Sequence, residues 1–364
     1  MKRAIGLMSG TSMDGIDVAL IETDGRSGLR HGPSFTFPYS EAFRERLRQS
    51  LAFARGVKAR NERPGALKLA EQYLTDLSAE AITQFLQDIR VGPEQIDVVG
   101  FHGHTVYHAP ERRLTVQIGD GQRLAKLVGI PVVYDMRAAD VEAGGEGAPL
   151  VPVYHRALAI KLGELPAAFV NIGGVANVTY VGENDELIAF DTGPGNALID
   201  DFMLKHAATA FDADGETGLN GVVDERVLHD ALSSHYFAEP PPKSLDRDAF
   251  DGALFENLSL TAGAATLAAF TAEAIARARE HFPREPAIWV VCGGGRKNKA
   301  IMTRLAERVE NAVVPVEAIG LNGDSIEAEA WGYMAVRALE GLPLTFPGTT
   351  GVPGAMSGGV IALP

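Results

Sequence analysis

Two distant stretches of this chain share one layout. Residues 5–22, "IGLMSGTSMDGIDVALIE", are an apolar run, a turn of Gly, Ser and Thr, and a second apolar run. Residues 169–182, "FVNIGGVANVTYVG", repeat that order around a glycine pair. Each reads as a strand, a tight turn and a returning strand. In the first, Asp14-Gly15 is expected to make the turn, with glycine taking a positive φ. Each hairpin opens a stretch in which strands and helices alternate, so the chain is expected to hold two α/β halves built on one plan. With 364 residues there is material for two domains, three at most. No short tandem period exists, which excludes a solenoid.

In the first half, helical spacing marks residues 38–54 and 59–89, the latter with Leu67, Leu69, Leu74, Leu77 and Ile82 recurring at about one turn. "IDVVGFHG" reads as a strand, "LTVQIGDGQRLAKLVG" as a strand and a helix, and "IPVVYDM" as a strand. After the Gly-rich passage "RAADVEAGGEGAPLVPVYHRAL" the second half begins. "ELIAFDTGPGNALIDDFML" reads as strand, loop and helix. The stretch from "DRDAF" through "LTAGAATLAAFTAEAIARARE" reads as mostly helical. "AIWVVCGGG" is a strand, "NKAIMTRLAERV" a helix and "SIEAEAWGYMAVRALEGL" the last helix. The Gly/Pro-rich tail reads as loop.

The charge balance narrows the partners. The chain has 33 Lys and Arg against 47 Asp and Glu, a formal net charge of −14, and no basic run. Such a chain is a poor ligand for nucleic acid or an anionic membrane, so neither is expected as a partner. A bound phosphate must be met by backbone N–H groups or a few placed cations. One cysteine, Cys292, rules out a disulfide framework and a cysteine metal site, and reads as a small buried hydrophobe. The N-terminal apolar run breaks at Ser9, too short for a signal core, and no run reaches membrane-spanning length. A cytoplasmic protein is expected.

Several short motifs carry polar chemistry. "SGTSMDG" exposes N–H groups and two hydroxyls around Gly10, Thr11, Ser12 and Gly15, a pattern able to cradle an anion. Asp14 and Asp17 beside it suit a Mg²⁺ ion, directly or through water. The same residues fit an ordinary Asp-Gly hairpin, and the G-K-[ST] ending of a Walker A loop is missing. Gly173 and Gly174 allow close backbone approach, or a plain bulge. Asp191 ends an apolar strand before "TGPG", where α/β sheets bind ligands. It is a candidate general base, or an Asx-turn or cap residue. The glycines of "CGGGRKN" suit a flat ring or phosphates, or simply a strand-to-helix connection. His102, His104 and His108 lack the carboxylates of a zinc site and suit polar substrate contacts or structural roles. Asp120, Asp135, Arg137 and Asp140, in Gly-rich loops, suit a polar ligand such as a sugar, or a solvated surface.

The order of these motifs resembles the acetate-and-sugar-kinase, Hsp70 and actin superfamily. At finer grain "GLMSGTSMDGID", "GFHGHTVYH", "QIGDG", "AGGEGAPLVP", "NIGGVANVTY", "FDTGPGN", "PPKS", "CGGGRKN" and "EAEAWGYMA" resemble the anhydro-N-acetylmuramic acid kinase family, in order and across essentially the whole chain. "MSGTSMDG" and "FDTGPGN" are the specific blocks. There are departures. Met136 stands where a Phe is common, Phe202 where a Trp is common, and Glu142 and Glu146 replace residues usually uncharged.

The resemblance implies an α/β fold of two ribonuclease-H-like domains flanking an ATP and sugar cleft. Residues 1–133, completed by about 335–364, would form one domain and 134–334 the other. It implies ATP and Mg²⁺ as cofactors, 1,6-anhydro-N-acetylmuramic acid as partner, and a homodimer. Water, ATP and the anhydro sugar would give N-acetylmuramic acid 6-phosphate and ADP. Asp191 matches the base, and a carboxylate near its ordinary pKa is ionised at pH 7 as a base must be. ATP and its phosphates would meet Gly10, Thr11, Ser12, Met13, Asp14, Gly15, Asp17, Gly173, Gly174, Asn177, Gly193, Gly293, Gly294, Gly295 and Asn298. Asp14 and Asp17 would face the metal. The sugar would meet His102, His104, Gln117, Asp120, Arg137 and Glu327, the last preferred over Glu329. Two other readings stand beside this one. A plain sugar hydroxyl kinase of the superfamily would not require the 1,6 bridge. An ATP-switched module of the Hsp70 or actin kind would lack a sugar substrate.

Overall fold

The computed structural model describes residues 1–10 and 13–364. Its contacts divide them into two units, Met1–Lys161 with Asp324–Pro364, and Leu162–Gly323.

In the first unit, β1 (Lys2–Met8) and β2 (Gly15–Thr23) form the expected antiparallel hairpin, and β3 (Leu29–Pro38) pairs antiparallel with β2. β3 was not expected, because Gly32 and Pro33 interrupt its pattern. As the edge strand it tolerates a proline that donates no hydrogen bond. β4 (Val98–Phe101) runs parallel to β1. β5 (His104–Ala109) and β6 (Leu114–Ile118) form a separate ribbon. β7 (Val132–Tyr134) runs parallel to β4.

The second unit opens on the antiparallel strands β8 (Ala167–Ile172), β9 (Val175–Val181) and β10 (Leu187–Pro194). β11 (Ile288–Cys292) runs parallel to β8, and β12 (Ala312–Pro315) parallel to β11. The tail returns to the first unit, where β13 (Val360–Ala362) pairs antiparallel with β7, against the expectation of loop.

Among the described residues the sheets run β13-β7-β4-β1-β2-β3 and β10-β9-β8-β11-β12. With β13 set aside, both read third, second, first, fourth, fifth, the second strand antiparallel to its neighbours. That shared order is the duplicated plan expected from the two hairpins, and it agrees with the ribonuclease-H-like domains that the resemblance implies.

The buried run of β4 lies between the parallel strands β1 and β7, as strands covered on both faces do. The helix Ile326–Leu339 lies on β1 and β4 at a distance only glycine permits. A Cβ on Gly6 would stand 1.7 Å from the Ala328 carbonyl oxygen, and one on Gly100 2.0 Å from that of Trp331. This helix docks as one rod, so residues 324–334 belong with the first unit. The helix Pro152–Leu162 joins them, since its Tyr154 hydroxyl donates to Glu329. The contact boundaries therefore fall at 161/162 and 323/324, while the expected ones cut through this packing.

Other differences are local. The helix expected from residue 59 begins at Leu67, after Pro64. Residues 246–258 hold turns and one short 3₁₀ segment, and the helix Leu260–Arg277 starts where the Ser259 hydroxyl accepts from the Ala262 N–H. The cores are separate. Ile5, Leu7, Val18, Leu74, Phe85 and Val99 pack in the first unit, and Val170, Val178, Phe190, Phe270, Trp289 and Val291 in the second. Phe202 belongs to the second core, over Gly263, where a Cβ would meet its ring at 2.1 Å. That departure from the family pattern is a packing feature. No described helix is long and apolar enough to cross a membrane.

Candidate active site

Strand register in the second unit builds a polar row. Asn171 on β8 faces Asn177 on β9, and Asn177 faces Asp191 on β10. Asp191 sits where β10 breaks register with β9, between Asp191 and Gly193. Its Oδ2 accepts from the Leu245 N–H at 2.8 Å, and its own N–H donates to the Lys243 carbonyl at 3.1 Å. The Tyr236 hydroxyl donates to its carbonyl. Burial pushes the carboxyl up to about 6, the Leu245 N–H pulling the other way. This corrects the expectation of an ordinary carboxylate. At pH 7 the group is still roughly ten-to-one ionised, and it is a stronger base than a free aspartate.

The glycines sort by what a side chain would meet. At Gly173 nothing lies closer than 3.4 Å to an added Cβ, at Gly174 nothing closer than 3.7 Å, and at Gly294 nothing closer than 3.6 Å. Among the described residues no internal contact requires glycine at these three. All three adjoin Asn196 and its neighbours. The Asn196 N–H donates to the Gly173 carbonyl at 2.7 Å, and the N–H groups of Gly195 and Ala197 donate to that of Gly174. The glycine pair and the "TGPGN" loop are thus locked together. Gly193, Gly293 and Gly295, by contrast, are demanded by close neighbours, respectively Ala274, Asn171 with Ile172, and Ile172. Asn298 accepts from the Ile301 N–H at 3.1 Å and caps the helix Lys299–Arg308. Arg296, not anticipated, is buried and donates to Glu317 at 2.8 Å.

In the first unit Thr11 and Ser12 lie outside the described residues. Beside them Met13, not Gly15, takes the positive φ, at 57°. Gly15 begins β2, and its missing Cβ makes room for the Phe37 carbonyl, which would be 2.4 Å away. Met13 N–H donates to the Gly10 carbonyl. Asp14 is exposed and pairs with Arg44 at 3.4 Å. Asp17 accepts from the Thr36 hydroxyl at 2.6 Å. Burial raises its carboxyl, against that hydrogen bond, and the charges of Asp324 and Asp14 raise it further. Among the described residues no three His, Cys, Asp or Glu side chains converge as a ready metal cage.

The sugar candidates divide. The Tyr39 hydroxyl donates to Ser9 Oγ at 2.7 Å, which meets His104 Nδ1 at 3.1 Å. Burial pushes His104 down to about 4, so at pH 7 it is neutral. Arg137 donates to His102 Nε2 at 3.3 Å and to the Gly147 carbonyl at 2.8 Å. Burial, then the Arg137 charge, hold His102 well below its usual range and neutral. Arg137 lies 5.3 Å over the Trp331 ring, and His102 packs on the same ring at 4.5 Å. Burial lowers Arg137 to about 10, with the Glu327 charge opposing. His102, His104, Arg137 and Glu327 thus gather within this unit. Gln117 bonds Thr105 and Thr115 in the β5–β6 ribbon. Asp120 accepts from the Arg123 N–H and caps the helix Gly121–Val128. Glu142 pairs with Arg60 at 3.3 Å.

Tyr39, Trp331, Tyr236 and Leu245 escaped the sequence reading. Trp331 and the segment before Leu245 lay inside quoted motifs, but nothing local assigned them a partner.

A family model described as anhydro-N-acetylmuramic acid kinase matches residues 2–364. Among curated relatives of that name, the Bradyrhizobium diazoefficiens protein is 55% identical over 366 residues, covering 100% of both chains. A Rhodopseudomonas palustris protein is 52% identical over 366 residues, again covering 100% of both. A Brucella suis protein is 51% identical over 370 residues, covering 100% of this chain and 99% of its own. With the two hairpins, the Asp191 row and the glycine tip all inside that full-length match, the chain belongs to the anhydro-N-acetylmuramic acid kinase family.

Proposed function

We propose that this chain transfers the γ-phosphoryl group of ATP to O6 of 1,6-anhydro-N-acetylmuramic acid as water opens the 1,6 bridge. The products are N-acetylmuramic acid 6-phosphate and ADP, as peptidoglycan recycling requires. The observation that carries the reading is Asp191: a shielded carboxyl near 6, oriented by one N–H, on the row with Asn171 and Asn177. In this reading a water oxygen bonds to C1 and its proton passes to Asp191. The C1–O6 bond breaks with its electron pair on O6. O6 bonds to the γ-phosphorus as the bond to the ADP oxygen breaks.

Phosphoryl transfer asks mainly for positioning and charge stabilisation. Gly173, Gly174 and Gly294 are proposed to lie against the nucleotide, supported by their open Cβ positions. Gly10, Thr11, Ser12, Met13 and Gly15 are assigned to the phosphates on the family motif, with Asn177, Gly193, Gly293, Gly295 and Asn298 supporting the same loops. Mg²⁺ takes one or two carboxylates and keeps several waters, so Asp14 and Asp17 fit it. Support comes from the like charges crowding Asp17, which a cation relieves. When bound, the ion supplies positive charge against the phosphate oxygens.

Arg137, His102, His104 and Glu327 are proposed to hold the sugar, with Gln117 and Asp120 as outer contacts. Two neutral imidazoles and a stacked guanidinium offer donors and acceptors suited to a polar ring. A cytoplasmic homodimer is part of this reading on the family resemblance alone.

The test is purified protein with Mg-ATP, the anhydro sugar and ¹⁸O-water, read by mass spectrometry, with Asp191→Asn alongside. One ¹⁸O at C1 of a sugar phosphate, lost in the variant, is the expected result. Equal phosphorylation of a reducing sugar without the bridge would replace the reading by a plain hydroxyl kinase. ATP turnover without either sugar would point to a switch module.

A further inference from the structure

We propose that the segment Lys243–Leu245 is a positioning strap for Asp191, its Leu245 main-chain N–H aiming the carboxylate at the attacking water. This rests on Asp191 being the base. β10 is the edge of its sheet, so the outer side of Asp191 has no strand partner. The strap takes that side. The Lys243 carbonyl accepts the Asp191 N–H at 3.1 Å, and the Leu245 N–H donates to Asp191 Oδ2 at 2.8 Å. The strap is itself anchored. Lys243 Nζ donates to the Tyr236 carbonyl at 2.9 Å, lying 4.5 Å over the Tyr236 ring and 5.5 Å over that of Phe190. The Tyr236 hydroxyl completes the ring by donating to the Asp191 carbonyl. The N–H, carbonyl and carboxylate of Asp191 are thus each held by residues 236–245. Among the described residues the carboxylate is engaged through Oδ2, which leaves Oδ1 for the water. A reacting group must be held to within about half an ångström, and a rigid main-chain donor does this better than a mobile side chain. The role also accounts for "PPKS", a motif otherwise without a function.

The groups around Asp191 let the contact be read by pH. Tyr236, Glu239 and Lys243 are the titratable side chains of residues 236–245, Glu239 acting on the other two and Glu280 on Lys243. His281 packs on Phe190. β9 offers Asn177 opposite, and the helix Leu260–Arg277 presents Thr271 and Ala274 to this loop, none of which titrates.

The experiment replaces Leu245 by its α-hydroxy analogue in the full-length enzyme, exchanging the N–H for an ester oxygen while every side chain is kept. A charge-assisted hydrogen bond of roughly ordinary strength corresponds to one to two pH units, so the acid limb of kcat/KM for the anhydro sugar should rise by about that much. From a starting value near 6, the rate at pH 6 should fall roughly 5- to 50-fold and recover by about pH 9. A limb that stays in place, or a loss equal at every pH, overturns the strap. So does a limb that moves as far in Leu245→Ala, which keeps the N–H. The Asp191→Asn protein separates the two claims: retained ring opening overturns the base reading and the strap's purpose with it. A dead Asp191→Asn enzyme with an unmoved ester limb overturns the strap alone.

Discussion

Gly174→Ala and Gly195→Ala form a matched pair, since both remove a glycine from the same pair of interlocked loops. Among the described residues an added Cβ at Gly174 meets only Ala197, at 3.7 Å, which is ordinary van der Waals contact. Its φ lies outside the left-handed region, so alanine is compatible with the backbone. Folded stability should hold within about 0.5 kcal/mol, or rise slightly as the unfolded chain loses freedom. At Gly195 the Cβ would stand 2.2 Å from the Gly173 carbonyl oxygen. Main chain must move there, at a cost of about 1–3 kcal/mol, or several degrees of melting temperature at roughly 2–4 °C per kcal/mol for a unit of this size. If the glycine tip meets the phosphates, the Gly174 methyl displaces one charge-assisted hydrogen bond. That loses roughly 1.5–3 kcal/mol, or about 10- to 100-fold in kcat/KM for ATP. Thermal melts and ATP-saturation kinetics on both variants decide it. Gly174→Ala should melt like the parent and fail with ATP, while Gly195→Ala melts early. A Gly174→Ala enzyme with unchanged kcat/KM for ATP refutes the assignment of this tip to the nucleotide.

Asp191 bears on stability with a definite sign. Its folded value, about 6, exceeds the unfolded one, so the folded state binds more protons between about pH 4 and 6 and stability falls as pH rises through that window. Asp191→Asn should therefore be more stable than the parent at pH 7, by up to about 3 kcal/mol, with the gap closing towards pH 4 in denaturant titrations. Glu329 accepts from Tyr154 and Ser325 and pairs with His31 at 3.0 Å in the first unit. Glu329→Ala should cost about 3–5 kcal/mol in urea unfolding, and a variant as stable as the parent would show the cluster to be idle. Arg137→Met should raise KM for the sugar at least about tenfold while KM for ATP stays put, as initial-rate kinetics would show. Asp17→Asn should raise the Mg²⁺ needed for half-maximal rate, and excess chelator should silence the parent; equal Mg²⁺ curves would remove Asp17 from the metal.

Much of the fold was legible because it is written locally. Apolar runs around small-residue turns marked β1–β2 and β8–β9, and the family blocks marked Asp191, His102 and His104 as candidates, with Arg137 read from a Gly-rich loop. Edge strands were not legible: β3 carries Gly32 and Pro33, and β13 is three residues in a Gly/Pro-rich tail. Pairing with a neighbour, not propensity, makes them strands. The role of Gly15 was misread for a related reason. Its sequence context suggests a turn, but the demand on it comes from the Phe37 carbonyl of another strand.

By itself, the sequence determined two α/β halves on one plan, the family, and the residue types of the candidate chemistry, because spacing and turn chemistry act over a few neighbours. Tertiary structure alone decided which groups meet. Leu245 reaches Asp191 from 54 positions away, and the helix Ile326–Leu339 joins the first strands through glycines whose only signal is the absence of a side chain. The carboxyl of Asp191 rises because folding removes water from around it, and exclusion of water is a property of the packed whole.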